Sequence, residues 1–152
     1  MHRLRLFNAL VYGFVLLLTV ILTPETRAGN FPSVTGTWTG TYKVAFPAGH
    51  AQYPDQSVET SMELEIYKQE SNLIWVINRW RRDPNAAWVI EYGTGSFDLD
   101  DRSDLIITEE GPAEAENVNT GMFTGELEDG DLHLTYSGPI DGITFSVKLS
   151  RQ

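Results

Sequence analysis

The chain has 152 residues, a formal net charge of −10 and no cysteine. The acidic charge opposes binding to nucleic acid or to an anionic membrane surface, because long-range repulsion acts before contact is made. Without cysteine no disulfide can crosslink the chain, and no lipid can be attached to a thiol. The fold must therefore be stabilised by an apolar core.

Residues 1–28 have the pattern of a secretory signal peptide. Arg3 and Arg5 precede an apolar run over residues 6–22, and small residues up to Ala28 suit a signal peptidase. We predict cleavage after Ala28, which makes the protein exported, either periplasmic or secreted. The alternative is an uncleaved membrane anchor at the N-terminus, since the apolar run is at the short limit of a spanning helix, about 20 residues.

The remaining residues, 29–152, are expected to form a single domain. This segment keeps 8 basic and 20 acidic residues, a formal net charge of −12. Its 124 residues are enough for one domain with its own core. Cationic or neutral partners remain open to it, such as a small apolar ligand or a protein, and we expect no membrane contact once the leader is removed.

From Thr35 onward, apolar and polar residues alternate with the two-residue period of β-strands, and no amphipathic helix interrupts them. The last strand is the clearest, because Ile143, Phe145, Val147 and Leu149 alternate with polar residues. The pattern predicts eight strands, over residues 36–46, 57–69, 73–81, 87–97, 103–108, 120–128, 131–137 and 142–150.

The connections between the predicted strands indicate how they are arranged. Most are short, and Asp129-Gly130 is typical of a type I′ hairpin turn. Two are long, 47–56 and 109–118, and such loops often carry function. Eight strands joined in order predict an all-β fold, an eight-stranded antiparallel up-and-down barrel, because closure leaves no free strand edge. A two-sheet β-sandwich is the alternative.

The tripeptide Gly36-Thr37-Trp38 at the start of the first strand resembles the opening of a lipocalin-like (calycin) small β-barrel. The resemblance covers the strand pattern, this tripeptide and Arg151. It implies that Trp38 plugs one end of the barrel and that Arg151, at the end of the last strand, lies across the indole ring. A guanidinium over an indole contributes about 0.5 to 2 kcal/mol.

The register of residues 73–82 decides whether Arg79 or Trp80 faces the interior. If the preceding turn is Glu70-Ser71, Arg79 points inward and needs an internal carboxylate or an anionic ligand group. If Asn72 joins the turn as a left-handed residue, Trp80 enters the core. The neighbouring arginines then face solvent and pair with Glu59, Glu63 or Glu91. The sequence leaves both registers open.

Aromatic side chains concentrate on the third and fourth predicted strands and suggest a ligand site. We expect a pocket of about 300 Å³ or more that holds an apolar or amphipathic small molecule inside the barrel. The alternative is a protein-interaction or inhibitor module that uses an exposed aromatic face on these strands, docking onto a partner or a second copy. The candidate ligand-binding residues are Tyr42, Trp75, Arg79, Trp80, Trp88 and Tyr92.

The sequence offers little for catalysis. Beyond the leader the only histidines are His50 and His133, and neither lies in a nucleophile pattern. The acidic segment 98–104 has Ser103 where a calcium loop needs glycine, so we interpret it as a solvated hairpin turn. We expect no catalytic residues, metal or cofactor. An enzyme that uses carboxylates at the barrel mouth remains an alternative, and an outer-membrane barrel fits the charged strands poorly.

Overall fold

A computed structural model describes residues 30–51, 53–111, 121–138 and 142–152. The predicted leader 1–28 and its cleavage site lie outside the described residues. The strands are β1 Gly36–Ala45, β2 Ser57–Glu70, β3 Leu73–Trp80, β4 Val89–Phe97, β5 Asp104–Glu110, β6 Met122–Glu128, β7 Asp131–Ser137 and β8 Thr144–Arg151.

The eight strands form a closed antiparallel barrel in chain order. Each strand pairs with the next, and β8 pairs with β1 along pairs such as Tyr42 with Val147. The predicted all-β, up-and-down barrel is confirmed, and the β-sandwich alternative is wrong. Within the ranges that the structure describes, no helix is long and apolar enough to cross a bilayer.

The inward positions of the strands supply one continuous core, as the two-residue period predicts. Trp38, Leu64, Ile107 and Leu149 are each at most 2% exposed. Burying such side chains contributes about 1.5 to 3 kcal/mol each, before chain entropy is subtracted. The apolar faces predicted for β1, β2 and β8 all converge on this interior.

Two hairpin turns set the registers of their strands. Asp129 and Gly130 have φ values of 51° and 87°, which confirms the predicted type I′ turn. Between β2 and β3 the left-handed residue is Ser71, with φ 57°, and not Asn72.

A β-bulge between Ile66 and Lys68 then shifts the pairing of β2 with β3. The bulge places Trp80 on the inner side and Arg79 on the outer side, the second of the two registers that the sequence left open.

Two glycines on β4 allow close packing against β5. Gly93 and Gly95 occupy inward positions of β4, and a Cβ atom at Gly95 would lie only 2.5 Å from the Ile106 carbonyl oxygen. Any larger residue would push the two strands apart. The glycines therefore permit the close approach of β4 and β5.

The barrel has two distinct ends. We call the closed end the one formed by residues 30–35 and the β2–β3, β4–β5 and β6–β7 turns. The open end is the end at which β1, β3, β5 and β7 finish and β2, β4, β6 and β8 begin.

Trp38 plugs the closed end. Its ring is 2% exposed, and its indole N–H donates a 2.8 Å hydrogen bond to the Val34 carbonyl oxygen. The Arg151 guanidinium lies 5.6 Å from the ring centre, and its Nη2 donates to the Thr35 carbonyl oxygen. Gly36, with φ 136°, leaves room for this guanidinium, because a Cβ there would lie 3.1 Å from Arg151 Nε. The contact implied by the lipocalin resemblance is therefore present.

Gln69 holds residues 30–35, which precede β1, against the closed end by hydrogen bonds. Its side-chain oxygen accepts a 3.0 Å hydrogen bond from the Val34 N–H, and its amide group donates to the Pro32 carbonyl oxygen at 2.9 Å.

The acidic segment 98–104 forms the hairpin turn predicted for it, closed by the Asp98 N–H donating to the Asp104 carbonyl oxygen at 2.8 Å. The Asp98 carboxylate accepts from the N–H of Asp100 at 2.7 Å.

Candidate functional site

The interior of the open end contains a cluster of buried polar side chains. Asn78, Glu91 and Glu109 are 2%, 3% and 4% exposed. They occupy inward positions on three adjacent strands, β3, β4 and β5. A carboxyl group rarely lies fully inside a barrel, because removing its charge from water is costly.

Sequence reasoning missed both carboxyl groups. Glu109 was expected in the long connection 109–118, but β5 extends to Glu110 and turns Glu109 inward. Continuing the alternation of Leu105 and Ile107 by one further step would have found it. Glu91 was expected on the outer face opposite the arginines, and this expectation is wrong because Glu91 shares the inner face with Phe97.

The two carboxyl groups differ in their hydrogen bonds. The Trp80 indole N–H donates to Glu91 Oε2 at 2.7 Å. Neither oxygen of Glu109, nor Asn78 Oδ1, has a partner in hydrogen-bond geometry among the described residues. Asn78 and Glu91 nevertheless lie close enough to act on the ionisation of Glu109.

The surroundings of Glu109 favour its protonated form. Burial first, and then the nearby charge of Glu91, raise the pKa of the Glu109 carboxyl to about 8, although the Asn78 amide acts in the opposite direction. At neutral pH the Glu109 carboxyl is therefore mainly protonated and uncharged.

Aromatic rings form the wall opposite the acidic strands. Tyr42 and Phe145 stack with ring centres 4.1 Å apart, and Tyr136 lies 5.0 Å from both Phe145 and Phe123. We call Tyr42, Phe123, Tyr136 and Phe145 the aromatic wall. The aromatic wall comes from β1, β6, β7 and β8. The polar cluster and the aromatic wall together therefore span the full width of the barrel.

Tyr42 links the aromatic wall to the rim of the open end. Its hydroxyl donates to the Arg81 carbonyl oxygen at 3.2 Å, and Thr60 Oγ1 donates to the same oxygen at 3.0 Å. Burial, together with the charges of Glu91 and Glu109, raises the pKa of the Tyr42 hydroxyl well above its ordinary value. Tyr42 therefore acts as a neutral hydrogen-bond donor that fixes the chain where β3 leaves the barrel.

A cavity of about 30 Å³ lies between the carboxyl groups and the aromatic wall. This is much smaller than the volume of about 300 Å³ expected from the sequence, because large aromatic side chains fill this end. It is enough for a water molecule or one small chemical group. The cavity is also lined by Phe46, Trp80, Arg82 and Ile143. These residues stand at the ends of β1, β3 and β8 on the open side, which we call the mouth.

The structure does not bring the six predicted ligand-binding residues together. Tyr42 and Trp80 line the cavity. Arg79 lies on the outer face, where it donates to Glu63 at 2.7 Å and to Glu65 at 2.8 Å. The interior position considered for Arg79 is therefore wrong, and its outward pairing with Glu63 is confirmed.

The other three predicted residues, Trp75, Trp88 and Tyr92, also lie outside the barrel. Lys68 Nζ is 4.2 Å from the Trp75 ring centre, and the Arg81 guanidinium is 4.7 Å from that of Trp88. Tyr92 is 53% exposed. With Leu73 and Ile106 they give β3 to β5 an apolar outer surface, which we call the outer aromatic face.

Within the described ranges, no group of three or more His, Cys, Asp or Glu side chains is placed to hold a metal ion. The two interior carboxyl groups are instead accompanied by aromatic rings and an amide. No protein-family model and no curated protein matches the chain.

Proposed function

We propose that the protein is an exported, lipocalin-like barrel that binds an amphipathic small molecule at its open end. The observation that carries this proposal is the buried carboxyl of Glu109, whose oxygens have no hydrogen-bond partner among the described residues, beside an aromatic wall and a cavity. A ligand would place one small group in the cavity and its apolar body at the mouth.

Stability alone does not account for this arrangement. An unpaired buried polar group costs about 1 to 3 kcal/mol, and more if it is charged. The closed end shows that the same barrel can be filled with apolar side chains such as Leu132 and Leu149, both 0% exposed. Acidic side chains at the other end are more simply explained by a ligand that supplies the missing partners.

Binding fits the site better than catalysis. Two neighbouring carboxyl groups suit general acid and base chemistry. However, a cavity of about 30 Å³ has no space for a scissile bond together with an attacking water. Among the described residues that line the cavity there is no histidine.

Export and the lipocalin-like assignment belong to the same proposal. The basic and apolar pattern of residues 1–28 supports export. The Gly36-x-Trp38 opening, with Arg151 over the indole ring, supports the lipocalin-like assignment. In this assignment the closed end is structural, and the open end receives the ligand.

Native mass spectrometry of the exported protein tests the proposal. We expect a small molecule bound at one copy per chain, with a processed mass that corresponds to cleavage after Ala28. Ile143→Trp, which fills the mouth, should abolish the bound mass. Ile106→Trp makes the same change on the outer face and should leave it unchanged. Equal loss or equal retention in both variants contradicts binding at the open end.

A second candidate function is docking of a protein on the outer aromatic face. It is favoured by the exposure of Leu73, Tyr92 and Ile106, which are 47%, 53% and 40% exposed. Because the chain carries a formal net charge of −10, the partner that fits is basic, with apolar side chains between its charges.

An amphipathic lysine-rich peptide with alternating apolar residues is a suitable probe for this second function. Fluorescence anisotropy should show binding that persists at 0.5 M salt, about three times the physiological ionic strength, and that Tyr92→Ser removes. Binding that salt abolishes equally in wild type and variant reflects only general charge attraction and contradicts the second function.

A further inference from the structure

The charge of the ligand can be inferred from the groups around the cavity. Resting on the function proposed above, we propose that the ligand carries a primary ammonium group, which enters the cavity and forms an ion pair with Glu109 beside Glu91. Its apolar body lies at the mouth against Phe46 and Ile143.

The first argument is the chemistry of the deepest polar atoms. Both Glu109 oxygens and Asn78 Oδ1 are acceptors when Glu109 is ionised, and none of the three has a partner in hydrogen-bond geometry among the described residues, although the side chains of Asn78 and Glu91 lie near Glu109. A group that satisfies them must donate several hydrogen bonds at once. An ammonium group has three N–H donors, whereas a carboxylate has none.

The second argument is the aromatic wall. Rings attract a cation through their negative faces, by about 0.5 to 2 kcal/mol when the site is desolvated. Tyr42, Tyr136 and Phe145 stack opposite the acidic strands and line the same cavity. Carboxyl groups together with aromatic rings are a combination that suits an organic cation.

The third argument is size. The cavity of about 30 Å³ accepts one compact group. A primary ammonium has about the volume of a water molecule and fits, whereas a quaternary ammonium with four carbon substituents requires the wall to move. The site therefore selects primary over quaternary amines.

Among the described residues that line the cavity, the cation is Arg82, which lies at the mouth and is partly exposed. The two carboxyl groups lie deeper and are almost fully buried. An anionic group on a ligand would therefore meet Arg82 first and would be repelled by Glu91 further in. The depth of the charges favours an ammonium as the leading group.

Binding of the ammonium couples to proton release. In the empty site the Glu109 carboxyl holds its proton, since burial and Glu91 raise its pKa to about 8. When the ammonium enters, Glu109 loses this proton to solvent, and the ligand keeps all three of its own. The titratable or charged groups that line the site around Glu109 are Glu91 from β4, Tyr42 from β1, Tyr136 from β7 and Arg82 after β3.

Calorimetric titration of the wild-type protein with hexylammonium, 1-hexanol and hexanoate tests the inference. At pH 8 we expect hexylammonium to bind about tenfold or more tightly than 1-hexanol, and hexanoate most weakly. Between pH 6 and 8 its affinity should increase by up to about tenfold per pH unit, because less work is needed to deprotonate Glu109. The affinity of 1-hexanol should change little.

Glu109→Gln should remove both the preference for hexylammonium and its pH dependence. Glu110→Gln is the matched control, because Glu110 is the next residue of β5 and points to solvent. If Glu109→Gln does not fold, the relative affinities of the three probes for the wild-type protein still test whether the site prefers an ammonium group.

The outcomes separate the inference from the function on which it rests. If 1-hexanol or hexanoate binds as well as hexylammonium, and Ile143→Trp blocks that binding, the ammonium inference is overturned and the binding function stands. If none of the three probes binds, both are overturned.

Discussion

The two ends of this barrel are built from the same strands but differ in how their polar groups are hydrogen-bonded. At the closed end the polar groups are paired, as the buried Trp38 indole with Val34 and the partly buried Gln69 amide with Pro32 show. At the open end Glu109 and Asn78 retain acceptors without partners among the described residues. The comparison indicates that the closed end stabilises the fold, whereas the buried carboxyl groups of the open end cost stability, which is what the proposed binding function requires.

The largest expected effect comes from breaking the closed end. Trp38→Ala removes a fully buried indole and should lower the free energy of unfolding by about 3 to 5 kcal/mol. Trp88→Ala, at a 48% exposed position, is the control and should cost less than about 1 kcal/mol. Chemical denaturation measures both changes. Equal costs would show that Trp38 does not plug the barrel.

The next effect is the pH dependence that the open end imposes on stability. The pKa of Glu109 is about 8 in the folded protein and ordinary, 4.5, when unfolded. Between these two pH values the folded state holds a proton on Glu109 that the unfolded state has lost. The resulting contribution to the free energy of unfolding is complete below the lower value and is lost as the pH rises towards 8. The loss should be about 3 to 5 kcal/mol by pH 9.

Glu109→Gln should abolish this loss and make the variant more stable than wild type at pH 9. Urea unfolding from pH 4 to pH 9 measures the difference between the two proteins, in which contributions from other groups cancel. Parallel stability curves for wild type and variant would show that Glu109 ionises normally.

A smaller effect is expected where Arg151 covers Trp38. Arg151→Ala removes the cation over the ring and the hydrogen bond to the Thr35 carbonyl oxygen, at a cost of about 1 to 2 kcal/mol. Arg151→Lys should recover part of the loss, because it keeps the charge. Thermal unfolding measures both. Ligand binding at the open end should be unaffected, and a change in affinity would couple the two ends.

The smallest effect is expected on the outer wall. Arg79→Gln breaks the ion pairs with Glu63 and Glu65, which are partly exposed, and should cost at most about 1 kcal/mol, less at high salt. Denaturation at low and high salt measures this. A loss of several kcal/mol, or a loss of ligand affinity, would mean that Arg79 serves the interior after all.

Strand number, order and inward faces could be predicted because the two-residue period is read directly from alternating residues such as Phe145 and Val147. The register of β3 could not, since it depends on the bulge near Tyr67, which leaves no mark in the local pattern. The acidic site was missed because Glu109 directly follows the predicted strand 103–108 and begins an acidic stretch, so its surroundings have the composition of a loop.

The size of the cavity was also beyond the sequence. Aromatic residues at Phe123, Tyr136 and Phe145 can line a wide pocket or fill it, depending on how side chains from different strands meet. In the structure their rings pack against each other and leave about 30 Å³. Only the three-dimensional contacts distinguish the two cases.

The most direct test of the difference between the two ends is an NMR titration of the labelled protein with hexylammonium at pH 8. We expect chemical-shift changes centred on Glu109, Glu91 and Phe145, a fall in the pKa of Glu109 on binding, and no change at Trp38. Changes centred on Tyr92 or Trp38, or a Glu109 carboxyl that titrates near 4.5 in the empty protein, would contradict it.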